Sequence, residues 1–448
     1  LPESPGAGAC SRPHTSSAQP WFEPSMPDFR FVHAADLHLD TPFDGLSRLG
    51  GDLPARLRDA SLTAFDNLVA ETLRVEADAL VLAGDLYDGP DRGLRAQLRL
   101  RDGFARLTQA GVQVFLVHGN HDPVQEGWSA IRDWPEGVHV FSASEVESVP
   151  VTRAGREIAR VYGISYARAE TTENLAARFP LASDAPFALG LLHANVGNNP
   201  AHASYAPCEL AELTGGGMDY WALGHIHAAQ VLSQGPVYAV YSGVLQGRSP
   251  KPSEQGAKGA YVVDVDDGRV SALDFRPLDV VRFEQLSLDV AGIADAGQLQ
   301  DALQNAAGDA AEAADGRDLI LRAELTGRGP VHRQLRQSDG LDDLLATLQQ
   351  AGPANVGAQV WWDRLIDRTA PPLDKDAIRR RGDFSAELLA RADALLADPG
   401  QLDAFLAEHV RPSDRRLKGL LADADREADQ TALAAAVDEA LDRLEPEE

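Results

Sequence analysis

Side chains able to hold a divalent metal recur where apolar runs stop. Asp36 and His38 follow Phe29-Arg30-Phe31-Val32-His33-Ala34-Ala35, and Asp85 follows Ala79-Leu80-Val81-Leu82-Ala83 and Gly84. Val112-Gln113-Val114-Phe115-Leu116-Val117 ends in His118-Gly119-Asn120-His121-Asp122. His193 closes the run 187–192, and Tyr220-Trp221-Ala222-Leu223 ends in Gly224-His225-Ile226-His227. Carboxylate, amide and imidazole without thiolate form a donor set for Mn²⁺, Fe²⁺ or Zn²⁺. Asp-x-His and His-x-His place both side chains of a pair on one face of an extended segment. Asp85 offers two oxygens and is placed to bridge two ions ~3.5–4 Å apart. Taken singly, each stretch has a plainer reading: an Asx turn beside a chance histidine at Asp36, a loop-capping carboxylate at Asp85, an ordinary Gly-Asn turn at Gly119. Five strand ends of one kind in one chain are the stronger signal.

The elements needed to position these groups are legible as an α/β pattern. The apolar runs are short and continuous, as in strands buried on both faces. Helical spacing fills the gaps, with Leu57, Leu62, Phe65, Leu68, Val69 and Leu73 within 54–76 and a second, Arg-rich helix at 93–109. Residues 149–151, 157–164 and 187–192 indicate a second sheet. The strand at 238–241 leads into Ser242-Gly243-Val244-Leu245-Gln246-Gly247-Arg248, and 259–265 is a terminal strand. Ligands of open α/β folds bind at the carboxyl edge of the sheet, where all these polar groups fall.

Composition narrows the setting. The 448 residues suffice for two or three domains with buried cores, and the hydrophobic fraction of 44% is ordinary. No apolar run reaches membrane-span length, and no signal-peptide pattern opens the sequence. Cys10 and Cys208 form no metal or redox spacing, so a reducing cytoplasm is the expected setting. The net charge of −27 counts against a nucleic-acid partner, although a local Arg-lined groove and bound cations can reverse the field. Residues 1–27 are rich in Pro, Ser, Gly and Ala without periodicity, which predicts disorder. Met26 directly precedes the first strand and is the expected start of translation.

In their order, these residues resemble the calcineurin-like metallophosphoesterases. The subgroup cues 33–43, 84–88, Tyr241-Ser242-Gly243 and Gln246-Gly247-Arg248 are similar to those of bacterial DNA-repair exonucleases of the SbcD and YhaO type. The resemblance implies an α/β/β/α two-sheet sandwich over 28–275. It implies two divalent ions, Mn²⁺ before Fe²⁺, Zn²⁺ or Mg²⁺. Asp36, His38, Asp85 and His227 would hold one, and Asp85, Asn120, His193 and His225 the other. His121 matches the catalytic histidine, and Asp122 fits a carboxylate that orients it. Asp88 reads as a supporting or loop residue, and Arg248 and His202 as candidates to face substrate. Where close relatives are expected to read His-Pro after Gly247-Arg248, this chain has Ser249-Pro250. His33, His118 and His139 read as packing or loop residues.

Beyond 275, strands at 281–290, 319–327 and 356–365 alternate with helices near 296–314 and 331–350, which predicts a small α+β unit over 276–370. The resemblance makes it a cap that contacts DNA, with Arg322, Arg328, His332, Arg333 and Arg336 as phosphate contacts or simply a solvated face. From 371 to 448 the chain is Ala-, Leu- and Asp-rich and helical, with Leu388, Leu389, Leu395, Leu396, Leu402, Phe405, Leu406, Leu417, Leu420 and Leu421 at helical spacing. By position this region either docks an SMC-like ABC ATPase or packs back on the core. A homodimer is a further expected partner state. The activity implied is a metal-dependent exonuclease or endonuclease in DNA repair. The alternatives are the same chemistry on cyclic nucleotides, other nucleotides or phosphoproteins, and a non-catalytic partner of the ATPase.

Overall fold

The computed structural model describes residues 28–41, 43, 53–89, 93–125, 129–181, 184–197, 204–337, 339–351, 359–409 and 426–444. The expected tail with its Met26 start, His202, Leu417, Leu420 and Leu421 lie outside them.

The first half alternates strand and helix: β1 (Phe29–Ala34), α1 (Leu53–Arg74), β2 (Ala79–Ala83), α2 (Leu94–Gln109), β3 (Gln113–Val117) and β4 (Val138–Val140). β1 to β4 pair in parallel. Two later antiparallel strands, β11 (Gly259–Asp266) and β12 (Arg269–Pro277), extend the sheet on the β1 side in the order β12-β11-β1-β2-β3-β4. Successive side chains of a strand face opposite ways. Val32, Leu80, Leu82, Val114 and Leu116 therefore meet Phe65, Leu68, Val69 and Phe104 of α1 and α2. Phe31, Val81, Ala83, Phe115 and Val117 turn to the other side and meet a second sheet.

That sheet holds β5 (Glu147–Arg153), β6 (Arg156–Gly163), β7 (Ala188–His193), β8 (Tyr220–Gly224), β9 (Gln230–Ser233) and β10 (Tyr238–Tyr241) in the order β5-β6-β7-β8-β10-β9. Val161, Leu189, Leu191, Tyr220, Ala222 and Val240 point inward, while Ile164, Leu192, Trp221, Leu223 and Tyr241 pack outward with Leu213 of α3 (Leu210–Thr214). The architecture is the expected α/β/β/α sandwich. β1, β2 and β3 in one sheet and β7, β8 and β10 in the other each run parallel, so their carboxyl ends gather at one rim.

A third, all-parallel sheet follows: β13 (Val281–Asp289), β14 (Asp318–Thr326) and β15 (Val360–Asp367). One face packs on α4 (Ala296–Ala313), α5 (His332–Leu335) and α6 (Gly340–Ala351). The single helix predicted over 331–350 is thus two. The other face places Val281, Phe283 and Ile320 against Leu53, Leu57 and Ala60 of α1. Helices α7 (Lys375–Arg381), α8 (Phe384–Ala397), α9 (Pro399–His409) and α10 (Arg426–Leu444) end the described chain. Among the described residues no helix is long and apolar enough to cross a membrane.

The inter-sheet core is aromatic at its centre. Phe31 stacks on Phe29 at 5.1 Å between ring centroids and meets the Tyr220 ring edge-on at 5.1 Å. Phe31→Ala is expected to destabilise this core by about 3–5 kcal/mol, read as a lower urea midpoint at unchanged slope.

Candidate metal centre

The rim where β1, β2, β3, β7 and β8 stop collects the residues singled out by sequence. Asp36 is fully buried, and both its oxygens lie 3.1 Å from the backbone N–H of His225. Asp85 is buried beside it. Its Oδ1 accepts the His121 N–H at 2.9 Å, while Oδ2 lies 3.4 Å from His193 Nε2 and 3.9 Å from His38 Nε2. His38 Nε2 and His227 Nε2 face each other at 3.3 Å. His193 Nδ1 donates to the Ala83 carbonyl at 2.9 Å, which turns Nε2 toward Asn120 Oδ1 at 3.0 Å. The His225 ring stands 5.3 Å from that of His193. Ligand atoms of Asp36, His38 and His227 lie within 4.8 Å of one another, and so do those of Asp36, Asp85 and His193.

The backbone is bent to make this cluster. Asp36 (φ 51°), His38 (φ 41°), Asp85 (φ 52°) and His225 (φ 101°) all occupy the positive-φ region that non-glycine residues rarely adopt. Asp36 and His38 therefore do not meet as neighbours on an extended strand, as their spacing predicted. They meet because the chain turns left-handed directly after β1. Glycines supply the clearance: a Cβ on Gly119 would lie 2.3 Å from Asp85 Oδ1, and one on Gly224 would lie 1.9 Å from the Ala83 carbonyl oxygen.

The electrostatics of the rim call for positive charge. Burial pushes Asp36 up to about 6. Burial acts on Asp85 in the same sense, but the surrounding imidazoles, His193 foremost with His38 and His121, together hold that carboxyl well below the usual range. His193 is in turn pushed up to about 9, with burial opposing and Asp85 prevailing. Burial and then Arg248 bring His38 down to about 4. Two carboxylates excluded from water together are costly unless positive charge joins them. Convergent Nε2 atoms beside buried carboxylates fit divalent ions. Asp36, His38, Asp85 and His227 could hold one, and Asp85, Asn120, His193 and His225 another.

Around this centre lies a ring of charged groups. His121 stands at the mouth with its side chain 42% exposed and its Nδ1 2.8 Å from Asp88 Oδ1. The carboxylate that orients His121 is thus Asp88, not the Asp122 expected from sequence. Asp122 instead braces the turn: it accepts the Gly119 and Leu86 N–H groups at 2.9 and 3.0 Å and pairs with His118 Nδ1 at 3.0 Å. The Asp88 hydrogen bond raises the His121 imidazole pKa. Asp88 also lies 3.2 Å from His38 Nδ1 and 3.2 Å from the Arg248 guanidinium. Arg248 is therefore at the site, whereas nothing is described for His202.

Glu254 joins the site without any warning in the sequence. It sits in a short 3₁₀ turn, and its Oε1 lies 2.9 Å from His227 Nδ1. One carboxylate in a loop, in a chain with 68 acidic residues, carries no signal of its own. His33 bonds Tyr220 at 3.0 Å in the core and His139 pairs with Glu147 at 2.9 Å, as packing and loop histidines. Several of the expected phosphate contacts are engaged elsewhere: Arg322 with Asp363 at 2.6 Å, Arg328 with Asp442 at 2.6 Å, and His332 with Thr369 at 2.8 Å. Arg333 and Arg336 are exposed.

Two substitutions test this geometry. Gly119→Ala should displace Asp85 and lower the divalent-metal content measured by equilibrium dialysis, with the fold retained by circular dichroism. Asp88→Asn removes the interaction that raises the His121 pKa. The ring should then titrate at lower pH in an NMR titration of metal-free protein; an unchanged midpoint would assign the shift elsewhere.

Comparison with known proteins agrees with this geometry. Residues 29–229 match the calcineurin-like phosphoesterase family, and residues 283–370 match the middle domain of metallophosphoesterase YhaO. The chain is 37% identical over 344 residues to the Uncharacterized metallophosphoesterase YhaO of Bacillus subtilis, covering 77% of this chain and 83% of that protein. It is 25% identical over 231 residues to the DNA double-strand break repair protein Mre11 of Aeropyrum pernix, covering 48% and 53%. Over 99 residues it is 35% identical to one component of the nuclease SbcCD of Rhodobacter capsulatus, covering 21% and 22%. With the two-sheet sandwich and the clustered carboxylates and imidazoles at its rim, these matches establish that the chain belongs to the calcineurin-like metallophosphoesterase family.

Proposed function

We propose that this metallophosphoesterase is a two-metal phosphodiesterase that acts on DNA. The observation that carries the reading is the buried Asp36–Asp85 pair with imidazoles around it and His121 at its open side. Divalent ions held there would supply Lewis acidity, neutralising phosphate oxygens and acidifying a water. The chain's own groups do the rest. Asp88 fixes the His121 ring through Nδ1 and favours its protonated form, which suits a proton donor to the leaving oxygen. Arg248, beside Asp88, offers a cation for a non-bridging phosphate oxygen. DNA as the substrate is supported by the nuclease and break-repair names of the partial relatives. The third sheet, read as a cap over 276–370, packs against α1 of the same half of the sandwich.

A second reading, a small phosphoester substrate, is favoured by the net charge of −27, which repels a polyanion at long range. One experiment separates the two. With Mn²⁺, end-labelled linear double-stranded DNA should be degraded by the wild type and by neither Asp85→Ala nor a chelator-treated sample. The label pattern should report whether ends are required. Intact DNA alongside cleavage of bis-p-nitrophenyl phosphate would assign the small substrate.

A further inference from the structure

Glu254 is buried, yet it belongs to none of the strand ends that build the site. Its two oxygens are used separately. Oε1 lies 2.9 Å from His227 Nδ1, and Oε2 accepts the backbone N–H of Arg248 at 2.7 Å. The Arg248 guanidinium folds back to 3.7 Å from Oε1 and reaches Asp88 with its other terminal nitrogen at 3.2 Å. The turn that carries Glu254 is itself held: Lys258 Nζ donates to the Ser253 carbonyl at 2.8 Å, and Gln255 Nε2 to that of Pro250 at 2.8 Å. Gly247 packs so closely that a Cβ there would lie 2.5 Å from the Glu254 carbonyl oxygen. One residue earlier, Gln246 accepts the Val280 N–H at 2.9 Å and donates to the Val281 carbonyl at 2.5 Å, tying this loop to the start of β13.

An imidazole can present only one nitrogen lone pair to a metal, and the partner of its other nitrogen decides which one. A carboxylate acceptor at His227 Nδ1 keeps the proton there and leaves Nε2 bare. That Nε2 faces the His38 Nε2 at 3.3 Å, beside Asp36. We propose that Glu254 is a positioning residue for the metal centre, which locks His227 with Nε2 directed at the ion shared with Asp36 and His38 and holds the Arg248 loop beside it. The inference rests on reading the rim as a two-ion site. It assigns Glu254 to one ion specifically, because the imidazole it contacts is His227, while the Asn120–His193 side is fixed by Ala83 and Asp85.

The test is Mn²⁺ titration calorimetry on metal-free full-length protein. The variants are Glu254→Ala and Glu254→Met, the second keeping the buried volume without either acceptor. His227→Ala serves as the benchmark, and thermal melts of the metal-free proteins check folding. Wild type should bind two ions. Both Glu254 variants should bind one with wild-type affinity and the other about 10–100-fold more weakly, with melts close to wild type. If Glu254→Ala does not fold, Glu254→Met decides. Wild-type affinity at both sites in a Glu254 variant, or equal weakening of both, overturns the inference and leaves the two-ion reading standing. A wild type that binds no Mn²⁺ overturns that reading, and the inference with it.

Discussion

Asp36 and Asp85 carry their carboxylates into the place where both sheets run out of paired strand, and both are cut off from water. Bringing two like charges into such a site costs on the order of several kcal/mol per ion unless they are compensated. The surroundings answer that cost. His193 shares a proton-rich contact with Asp85, two more imidazoles turn their Nε2 atoms inward, and backbone N–H groups point at both carboxylates. Four left-handed, non-glycine residues hold the constellation, and such strain persists only where the surrounding fold over-determines it. Here that fold is the pair of sheets, joined at the rim by the His193–Ala83 and His225–Asp36 hydrogen bonds.

A second layer repeats the logic at lower charge density. Asp88 touches His121, His38 and Arg248; Glu254 touches His227 and Arg248. Arg248 therefore sits between two carboxylates, each of which also orients a histidine of the site. The arginine is preorganised by the same groups that preorganise the imidazoles, so its position and theirs are not independent. Through Gln246 the same loop is bonded to the first residues of the third sheet.

Much of this was legible because the chemistry-bearing residues lie at strand ends. A run such as Ala79–Ala83, short, apolar throughout and stopped by Gly84, reads as a strand covered on both faces, and the first polar residue after it then emerges at the edge. His225 and His227 were legible as a pair, as were Asp36 and His38, but the extended geometry expected of both pairs was not what forms: positive-φ turns at Asp36, His38 and His225 shape them instead. Glu254 and the Asp88–His121 contact were hidden for a different reason. Each depends on loops meeting across sequence distance, and a loop carboxylate has no periodicity to betray it. The same holds for Arg328, whose charge suggested a phosphate and whose partners are Asp438 and Asp442 on the last described helix. The break between α5 and α6 is marked in the sequence: Leu335 and Leu344 stand nine residues apart, half a turn out of phase on one continuous helix, and Asp339-Gly340 between them is a turn signal that a single helix over 331–350 overrode.

The rim has a consequence for the order in which the protein can be made. Asp36 and His225 are 189 residues apart, and β1 gains its antiparallel neighbour only when the chain reaches β11. At about 5–20 residues per second of synthesis, roughly 10–40 s separate the appearance of the first carboxylate from that of its histidine partners. Until that interval ends the nascent chain lacks the His225 and His227 imidazoles that follow β8, and strands β9 and β10 of the second sheet are still to come. No contiguous segment can close the site early. Completion is a late, non-local event in which the sheets dock, the strained turns lock and the ligand set appears together.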